Sequence, residues 1–290
     1  SNLVSLLPLT EFYFRSPACQ PRRIKIILAT MKIAMLCVHN SARSQLAEVV
    51  ARSLAPPGVA IFSAGSEPSS LRPEVTTVLQ QHGLSSEGLY SKGLDDIPLA
   101  EMDLIITLCA EERCPALPPT AVSIRWALPE PDDLWGFQTA YEQIRQRVLG
   151  LFEAQAVIDR FGLQRHPEGG WFKETWRHQP TDPTVRGSGT AILFLLRRGE
   201  ASHWHRVDAT EAWLFNAGEP LELETFSGEA RQIARMGPDV PGGDHPQVII
   251  PPHVWQRARP LGEWTLVSCT VSPAFDFEGF ELAAPGWEPD

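Results

Sequence analysis

The sequence predicts two domains of different classes, an α/β domain with a parallel sheet followed by an all-β domain. Between residues 31 and 150, short apolar runs alternate with helical patterns, which indicates a parallel sheet. After about residue 162, short strand-like runs are separated by Gly, Pro and Asp turns, which is typical of a jelly roll or barrel. A chain of 290 residues with 43% hydrophobic content can form two packed cores.

The elements of the first half follow one another in a regular order. The buried strand KIAMLCV precedes the helix SQLAEVVARSLA, and the strand VAIFSAG precedes the helix PEVTTVLQQHG, with Gly83 as its C-cap. A third strand, MDLIITLC, follows, and the helix FQTAYEQIRQRVLGLFEAQ closes the domain. The join, LFEAQAVIDRFGLQ, has no Pro and a helical pattern, so we expect a short and stiff connection.

The second half is predicted to contain the strands TAILFLL, EAWLFNAG, PLELETF, PQVIIPP and EWTLVSCTVSP. We place the two domains at residues 31–152 and 156–290. Residues 1–30 carry their basic residues after the apolar stretch, unlike a signal peptide, and we expect a poorly ordered leader with Met31 as the natural start. The alternative is a genuine, loosely ordered extension.

Charge and cysteine content exclude several functions. A net charge of −10 argues against a general nucleic-acid binder, which needs a basic face. No run of about 18 apolar residues exists, so we expect no membrane span. Five cysteines without the spacing of a small disulfide scaffold are typical of a cytoplasmic protein with reduced or catalytic thiols.

The segment from Cys37 to Ser44 predicts an oxyanion site. Backbone N–H groups of a loop between a strand and a helix converge on one point and bind a tetrahedral anion. Arg43 adds a bidentate clamp, and the same positive field favours the thiolate of Cys37 as a nucleophile. A buried structural cysteine with Arg43 in a surface ion pair is the weaker alternative. The predicted oxyanion-binding residues are Val38, His39, Asn40, Ser41, Ala42, Arg43 and Ser44.

The motif CVHNSARSQLAE resembles the phosphate-binding loop of low-molecular-weight protein tyrosine phosphatases and of the related thioredoxin-coupled arsenate reductases. The resemblance continues through FSAGSEPS, YSKGLDDIP, DLIITLCAEERCP and WALPEP, and it covers roughly residues 31–150. It implies that family's parallel-sheet fold, without a cofactor. It also places Glu130 where the family has its general-acid Asp, with Asp132 or Asp133 as alternatives.

The resemblance leaves two activities open. If the chain is a reductase, Cys109 attacks the Cys37 sulfur, Cys114 resolves the disulfide, and a thioredoxin- or glutaredoxin-type partner supplies electrons. The alternative is two buried cysteines that flank a loop. The acid loop WALPEPDDLWG lacks the aromatic pair that stacks on a phenolic substrate, which favours a small inorganic oxyanion. We therefore expect reduction of arsenate, or of a similar oxyanion, to arsenite.

Two alternatives to this activity stay open. One is hydrolysis of phosphotyrosine or a small phosphate monoester through a Cys37-phosphate. The other is a non-enzymatic oxyanion or metabolite sensor. Two loop positions depart from the family pattern: Ala42 stands where many relatives have a second cysteine, and His39 replaces a glycine.

The run GEASHWHRVDATEAWLFNAG predicts a metal site in the second half. His203 and His205 share a face if both lie on one strand, and Glu211 on the next strand completes a two-His, one-carboxylate set for Fe, Mn, Ni or Zn. The run resembles the first cupin motif, and HPEGGWFKETWR, VIIPPHVWQRARP and WTLVSCTVSPAFDFEGFEL extend the resemblance to a cupin jelly-roll barrel over residues 156–290. Gln256 replaces the ligand His of the second motif, so a metal-free polar pocket is the alternative.

We also predict a small-molecule site at the barrel mouth. Its predicted residues are Arg206, Trp213, Trp255 and Gln256, with Glu168, Trp171 and Lys173 as further lining. Cys269 lies in a predicted strand and is expected to be a packed thiol. Cupins of this type pair through their sheets, so we expect a homodimer.

Overall fold

The computed structural model describes residues 31–109, 117, 122–182 and 184–289. The predicted leader and Cys114 lie outside these residues. In the described part of the chain, no helix is long and apolar enough to cross a membrane.

The first half is a four-stranded parallel sheet in the order β2-β1-β3-β4 with helices packed on it. The predicted strands and helices are confirmed, and a fourth strand, SIRWAL, was not predicted although its exposed and buried residues alternate as in a half-buried strand. The elements are β1 (Lys32–Cys37), α1 (Arg43–Leu54), β2 (Ala60–Gly65), α2 (Pro73–Gln81), β3 (Leu104–Cys109), β4 (Ser123–Leu128) and α3 (Leu134–Phe161).

Helix α3 connects the two halves without a break. Its first turn is capped by Asp133, whose Oδ1 accepts from the Gly136 amide at 2.7 Å, and it ends at Gly162 in the left-handed conformation (φ 63°). The helical pattern predicted for the join is thus confirmed. Gly150 faces the barrel so closely that a Cβ there would lie 2.2 Å from Glu263 Cβ. The helix packs against α1 and α2 of the first half and against two strands of the barrel.

The second half is a barrel of two antiparallel sheets, ordered β11-β10-β13-β8-β15 and β12-β9-β14-β7-β6-β5. All five predicted strands are present, as β7, β9, β10, β12 and β14. The strands are β5 (Gln164–Arg165), β6 (Trp171–Arg177), β7 (Thr190–Arg197), β8 (His205–Val207), β9 (Thr210–Gly218), β10 (Leu221–Phe226), β11 (Arg231–Met236), β12 (Gln247–Ile250), β13 (Trp255–Pro260), β14 (Trp264–Ser272) and β15 (Phe280–Leu282).

The strands that the sequence did not reveal are rich in charged residues. In β13, Arg257 and Arg259 lie directly opposite Glu224 and Glu222 of β10. Arg257 Nη2 is 3.0 Å from Glu224 Oε1, and Arg259 Nε is 2.9 Å from Glu222 Oε1. Such cross-strand pairs stabilise a strand that apolar alternation does not identify.

Candidate oxyanion site and barrel pocket

Cys37 ends β1 and lies at the base of the loop that leads into α1. The thiol is buried, with 3% of its surface exposed. The Asn40 amide donates to Cys37 Sγ at 3.2 Å, and Ser44 Oγ lies 2.9 Å from the same sulfur. Asn40 has a left-handed backbone (φ 46°), a conformation that asparagine tolerates better than most residues. The loop therefore folds back over the thiol.

The buried side chain of Asn40 holds the loop in this shape. Its Nδ2 donates to Ser44 Oγ at 2.8 Å and to Ser63 Oγ at 2.9 Å. Its Oδ1 accepts from Gln45 Nε2 and from the Lys92 amide, both at 2.7 Å. We did not single out Gln45, Ser63 or Lys92 from the sequence, although all three lie in the runs that carry the family resemblance.

Gly65, at the end of β2, allows the loop to approach the sheet. A Cβ at this position would lie 2.5 Å from the Val38 carbonyl oxygen and 2.7 Å from the Asn40 nitrogen. Neither backbone atom can give way without moving the loop over Cys37. Glycine is therefore required here by packing.

The other loop residues turn their carbonyls outward. The carbonyls of Val38, His39 and Ser41 accept from backbone amides between Glu67 and Arg72, at 2.9, 3.0 and 3.0 Å. Carbonyl oxygens that would repel an anion are thereby engaged away from the loop. The amides of the first turn of α1 have no partner within the helix, as at any helix start, and are suited to an oxyanion.

Arg43 is buried, with 2% of its side chain exposed, so it is not part of a surface ion pair. Its Nη1 donates to the Leu128 carbonyl at 2.7 Å, and its Nη2 contacts the carboxylate of Glu130. Among the residues that the structure describes, its Nε has no hydrogen-bond partner. The structure thus brings the predicted clamp and the predicted acid together.

The two alternative acids are placed differently. Asp133 is occupied as the cap of α3, and Asp132 is exposed. Trp135, also near the acid loop, is 76% exposed. Of the three carboxylates in this loop, Glu130 is the one that contacts Arg43.

Cys109 ends β3, the parallel neighbour of β1, and belongs to the same hydrophobic cluster as Cys37. The register of β3 shifts between Thr107 and Cys109. The Cys109 carbonyl accepts from Arg125 Nε at 3.3 Å. Two of the three predicted relay thiols therefore lie at the carboxyl ends of adjacent strands, and Cys114 lies outside the described residues.

The barrel contains a cavity of about 80 Å³ with largely apolar walls and a polar end, the part lined by His166, Glu168, His205 and Glu211. Its polar lining is His166, Glu168, Glu174, Arg177, Thr190, His205, Glu211 and Cys269, and its apolar lining is Phe172, Ile192, Val207, Val271, Phe275, Phe277 and Phe280. His166, Cys269 and the phenylalanines were not predicted as pocket residues, although they lie in the runs that resemble a cupin.

Three buried groups meet at the polar end. His205 Nδ1 donates to the His203 carbonyl at 2.8 Å, and a Glu168 carboxyl oxygen lies 3.3 Å from His205 Nε2 and 3.5 Å from His166 Nδ1. Burial lowers the pKa of both His166 and His205 to about 4 and raises the pKa of Glu168 well above its ordinary value. These contacts are therefore not ion pairs near neutral pH.

Two residues that were predicted in the pocket form a chain of hydrogen bonds to the Glu211 carboxyl. Gln256 Nε2 donates to Glu211 Oε2 at 2.6 Å, and Trp213 Nε1 donates to Gln256 Oε1 at 2.9 Å. Burial raises the pKa of Glu211 to about 7, and burial together with the nearby carboxyls raises the pKa of the Cys269 thiol. Gln256 and Trp213 orient Glu211 and do not line the cavity.

The predicted metal ligands do not converge. Strand β8 begins at His205, so His203 precedes the strand and the two-residue alternation does not apply to it. His203 Nε2 instead contacts the Ala283 carbonyl at 3.0 Å. Within the described ranges, no three His, Cys, Asp or Glu side chains are arranged to hold a metal ion. The residues present do not fit the predicted two-His, one-carboxylate set.

Arg206 and Trp255 were predicted in the pocket but lie outside its lining. Arg206 stacks over Trp255 at 4.6 Å and pairs with Glu281, because its side chain leaves β8 on the opposite face from His205.

The predicted lining residues Trp171 and Lys173 also lie outside the cavity. Trp171 stacks with Arg165 at 4.1 Å, and Lys173 Nζ donates to the Phe161 carbonyl at 2.7 Å. Both side chains serve the junction between α3 and the barrel. Of the three residues predicted from HPEGGWFK, Glu168 alone lines the cavity.

Two family models match the chain, one in each half. The family model for low molecular weight phosphotyrosine protein phosphatase matches residues 32–154, and that for the Cupin superfamily (DUF985) matches residues 155–283. The chain is 32% identical over 127 residues to the glutaredoxin arsenate reductase of Synechocystis sp., covering 41% of this chain and 95% of that protein. It is 31% identical over 135 residues to the arsenate reductase of Staphylococcus aureus, covering 46% and 96%.

Solved structures include an arsenate reductase in the phosphate binding state, at 30% identity and a TM-score of 0.40, covering 42% of this chain and 97% of that one. Another is protein SO0799 from Shewanella oneidensis, at 36% identity and a TM-score of 0.43, covering 45% and 84%.

The fold and the Cys37 loop define a low-molecular-weight-phosphatase-type domain joined to a cupin barrel. Through its first half, the chain belongs to the family of the low-molecular-weight phosphatases and arsenate reductases, and it is an arsenate reductase-like oxidoreductase. Its second half matches the family model of the Cupin superfamily (DUF985).

Proposed function

We propose that the first half reduces arsenate to arsenite through a covalent adduct on Cys37. The observation that carries the proposal is the pair of contacts on the Cys37 sulfur, from the Asn40 amide and Ser44 Oγ, beside the buried Arg43. This arrangement holds a nucleophile within reach of a bound oxyanion. The relatives named arsenate reductase support arsenate as that anion.

The first step forms the bond between sulfur and arsenic. The Cys37 thiolate attacks arsenic, and Glu130 donates a proton to the oxygen that leaves as water. Before this step, the oxyanion and the Glu130 carboxylate compete for Arg43, because both are anionic ligands of the same guanidinium. Binding of the anion releases the Glu130 carboxylate, which takes up a proton from solvent and can then act as the acid.

The second step transfers the electrons. The Cys109 thiolate attacks the Cys37 sulfur, the new disulfide forms, and the electron pair of the S–As bond stays on arsenic, which is reduced from As(V) to As(III). Cys114 then attacks Cys109 and releases Cys37 as a thiolate. A dithiol of the thioredoxin or glutaredoxin type reduces the Cys109–Cys114 disulfide. The position of Cys37 and Cys109 at the carboxyl ends of adjacent strands supports the first of these attacks.

Hydrolysis of a phosphate ester is the second candidate. The contact between Glu130 and Arg43 favours it, since an acid-loop carboxylate at the anion site is also what a phosphatase needs. In that case, Cys37 and Glu130 are required and Cys109 is dispensable. Capture of an oxyanion without turnover is the third candidate.

One coupled assay separates the three. Reduced protein is incubated with arsenate, thioredoxin, thioredoxin reductase and NADPH, and in parallel with glutaredoxin, glutathione and glutathione reductase. We expect arsenate-dependent NADPH oxidation that is lost in Cys37→Ser and Cys109→Ser and kept in Cys269→Ala. Aryl phosphate hydrolysis that survives Cys109→Ser, without NADPH oxidation, would establish the phosphatase instead. Binding of the oxyanion without either reaction would establish the sensor.

The cupin half is proposed to bind a small molecule in its barrel cavity, with two chains pairing through the barrel sheets. The cavity with one polar end supports the first part of this proposal. Light scattering on the full chain tests the second part, and a monomer mass at high concentration would contradict it.

A further inference from the structure

Two carboxyl groups in the barrel cavity are buried without a cationic partner. Glu168 and Glu211 are 8% and 6% exposed, and both line the cavity. Among the described residues, neither forms an ion pair with a Lys or Arg side chain. Glu211 has hydrogen bonds from Gln256 Nε2 and the Cys269 thiol, but neutral donors do not compensate a buried negative charge, so the cavity is suited to a ligand that supplies a positive charge.

The histidines beside Glu168 do not supply that donor. His205 uses its Nδ1 proton for the His203 carbonyl, so its neutral ring presents the lone pair of Nε2 to the carboxyl. His166 Nδ1 accepts from the Glu168 amide at 3.3 Å, so the lone pair of the neutral His166 ring is already engaged by the backbone. Neither ring nitrogen donates to the Glu168 carboxyl, and a ligand with N–H groups can donate both to this carboxyl and to His205 Nε2.

Among the described residues, one permanent cation lines the cavity, and it is already paired. Arg177 contacts Glu174 through Nε at 3.1 Å, and its Nη1 donates to the Phe275 carbonyl at 2.8 Å. Its charge is therefore compensated away from Glu168 and Glu211. An anionic ligand would meet two carboxyl groups at the polar end, so this lining disfavours anions.

The walls suit the body of an organic cation. Phe172, Phe275, Phe277 and Phe280 line the cavity, and the ring centroids of Phe275 and Phe277 are 5.1 Å apart in an edge arrangement. The faces of aromatic rings attract ammonium groups, and their area covers alkyl groups. A hydrated metal ion would gain little from such walls.

The metal ligands predicted from the sequence are also engaged elsewhere. The Gln256 amide is used at both ends, by Glu211 and by Trp213, and His203 faces the Ala283 carbonyl. Rearranging these groups around an ion would break three hydrogen bonds. The cavity as built is suited to a ligand that donates hydrogen bonds.

We infer that the barrel cavity binds a small organic cation, with an ammonium or alkylammonium group between Glu168 and Glu211 and a short apolar body against the phenylalanine walls. The inference rests on the proposal that the cupin half binds a small molecule. It is independent of arsenate reduction, which uses the other half of the chain.

Isothermal titration calorimetry on the full chain tests the inference with three probes of one shape: n-butylammonium, butan-1-ol and butyrate. We expect n-butylammonium to bind at least about tenfold more tightly than either other probe, because it alone makes charge-assisted hydrogen bonds to both carboxyls. Equal binding of butan-1-ol would contradict the inferred positive charge and would indicate a neutral ligand. Tighter binding of butyrate, or no binding of any probe, would also overturn it.

Two variants assign the preference to the cavity. Glu211→Gln is expected to reduce n-butylammonium binding about tenfold, whereas Glu278→Gln, an exposed carboxylate of the same domain, is expected to leave it unchanged. Titration with Zn²⁺ in place of the amine tests whether the cavity binds a metal ion. Stoichiometric Zn²⁺ binding that excludes n-butylammonium would overturn the inference. If Glu211→Gln does not fold, the ranking of the three probes on the unmodified chain still decides. Arsenate-dependent NADPH oxidation, measured in the same preparations, gives the activity of the first half independently of ligand binding in the barrel.

Discussion

The buried guanidinium of Arg43 contacts the carboxylate of Glu130, so the anion clamp and the proposed general acid are paired across the active-site loop. Arg43 begins α1, whereas Glu130 follows β4, more than eighty residues away in the chain. The Leu128 carbonyl, which accepts from Arg43 Nη1 at 2.7 Å, holds the guanidinium toward the acid loop. An oxyanion must therefore exchange with a carboxylate when it binds.

Glu130→Gln is predicted to lower both kcat and KM for arsenate. The amide no longer competes for Arg43 as an anion, so the substrate binds more tightly, whereas loss of the proton donor lowers kcat by about 10²-fold. Steady-state kinetics in the thioredoxin-coupled assay measure both values. Asp132→Asn, a neighbouring exposed carboxylate, is the control and is expected to change neither. A larger loss of kcat in Asp132→Asn than in Glu130→Gln would indicate that Asp132 is the general acid.

Asn40→Gly and Asn40→Ala separate the backbone and side-chain roles of Asn40. Both variants lose the four side-chain hydrogen bonds, but glycine keeps the left-handed backbone at little cost. We expect both to lose arsenate reduction, and Asn40→Ala to be less stable than Asn40→Gly by about 1 kcal/mol. Urea unfolding measures the free energy of unfolding of each variant, and the coupled assay measures its arsenate reduction. Full activity in Asn40→Gly would show that the side-chain network is dispensable.

Gly65→Ala is predicted to reduce activity by about 10²-fold, because its Cβ would displace the Val38 carbonyl and the Asn40 amide above the thiol. Gly93→Ala is a matched control, since a Cβ there would meet its nearest atom at 3.5 Å and its backbone φ of −79° suits alanine. The coupled assay compares the two variants. Equal activity in both would mean that the loop can move without loss of function.

Cys109→Ser is predicted to stop the reaction at the Cys37 adduct. The wild-type chain, treated with arsenate in the absence of a reductant, is expected to release arsenite once and to lose two alkylatable thiols to a disulfide. The variant is expected to release no arsenite and to form no disulfide at Cys37. Mass spectrometry of alkylated peptides distinguishes the two. Arsenite release by the variant would exclude Cys109 as the attacking thiol.

Glu211→Gln is predicted to become more stable relative to the wild type as the pH rises. The folded Glu211 has a pKa of about 7 against an ordinary value of 4.5, so the folded state binds more protons between these values and wild-type stability falls as the pH rises through about 7. The lowered pKa values of His166 and His205 act in the opposite direction below 6.5. Both chains retain these histidines, so the histidine effect largely cancels in the comparison.

Chemical unfolding of the two chains from about pH 5 to about pH 8 measures this difference. The free-energy difference is expected to grow by at most about 1.4 kcal/mol per pH unit and to level off above pH 7. A difference that does not change with pH would show that Glu211 is ionised across the whole range. Glu278→Gln, whose carboxylate is exposed, serves as the control.

Much of the fold could be predicted because its signals are local. Hydrophobic periodicity identified β1, α1, β2, α2 and β3 in order, and the segment from Cys37 to Ser44 identified the oxyanion loop. Strands such as β13 were missed because their stability comes from cross-strand ion pairs. Those partners lie more than thirty residues away, where no local pattern reveals them.

The sequence by itself determined which residue types are available: a thiol before a helix start, an arginine six positions later, and histidines and carboxylates in the barrel half. The tertiary structure decided which of them meet. It turned His203 toward a backbone carbonyl, placed His166 in the cavity and brought Glu130 to Arg43. The physical reason is that the direction of a side chain depends on where its strand begins and on which element packs against it, and both are set by contacts between residues distant in the chain.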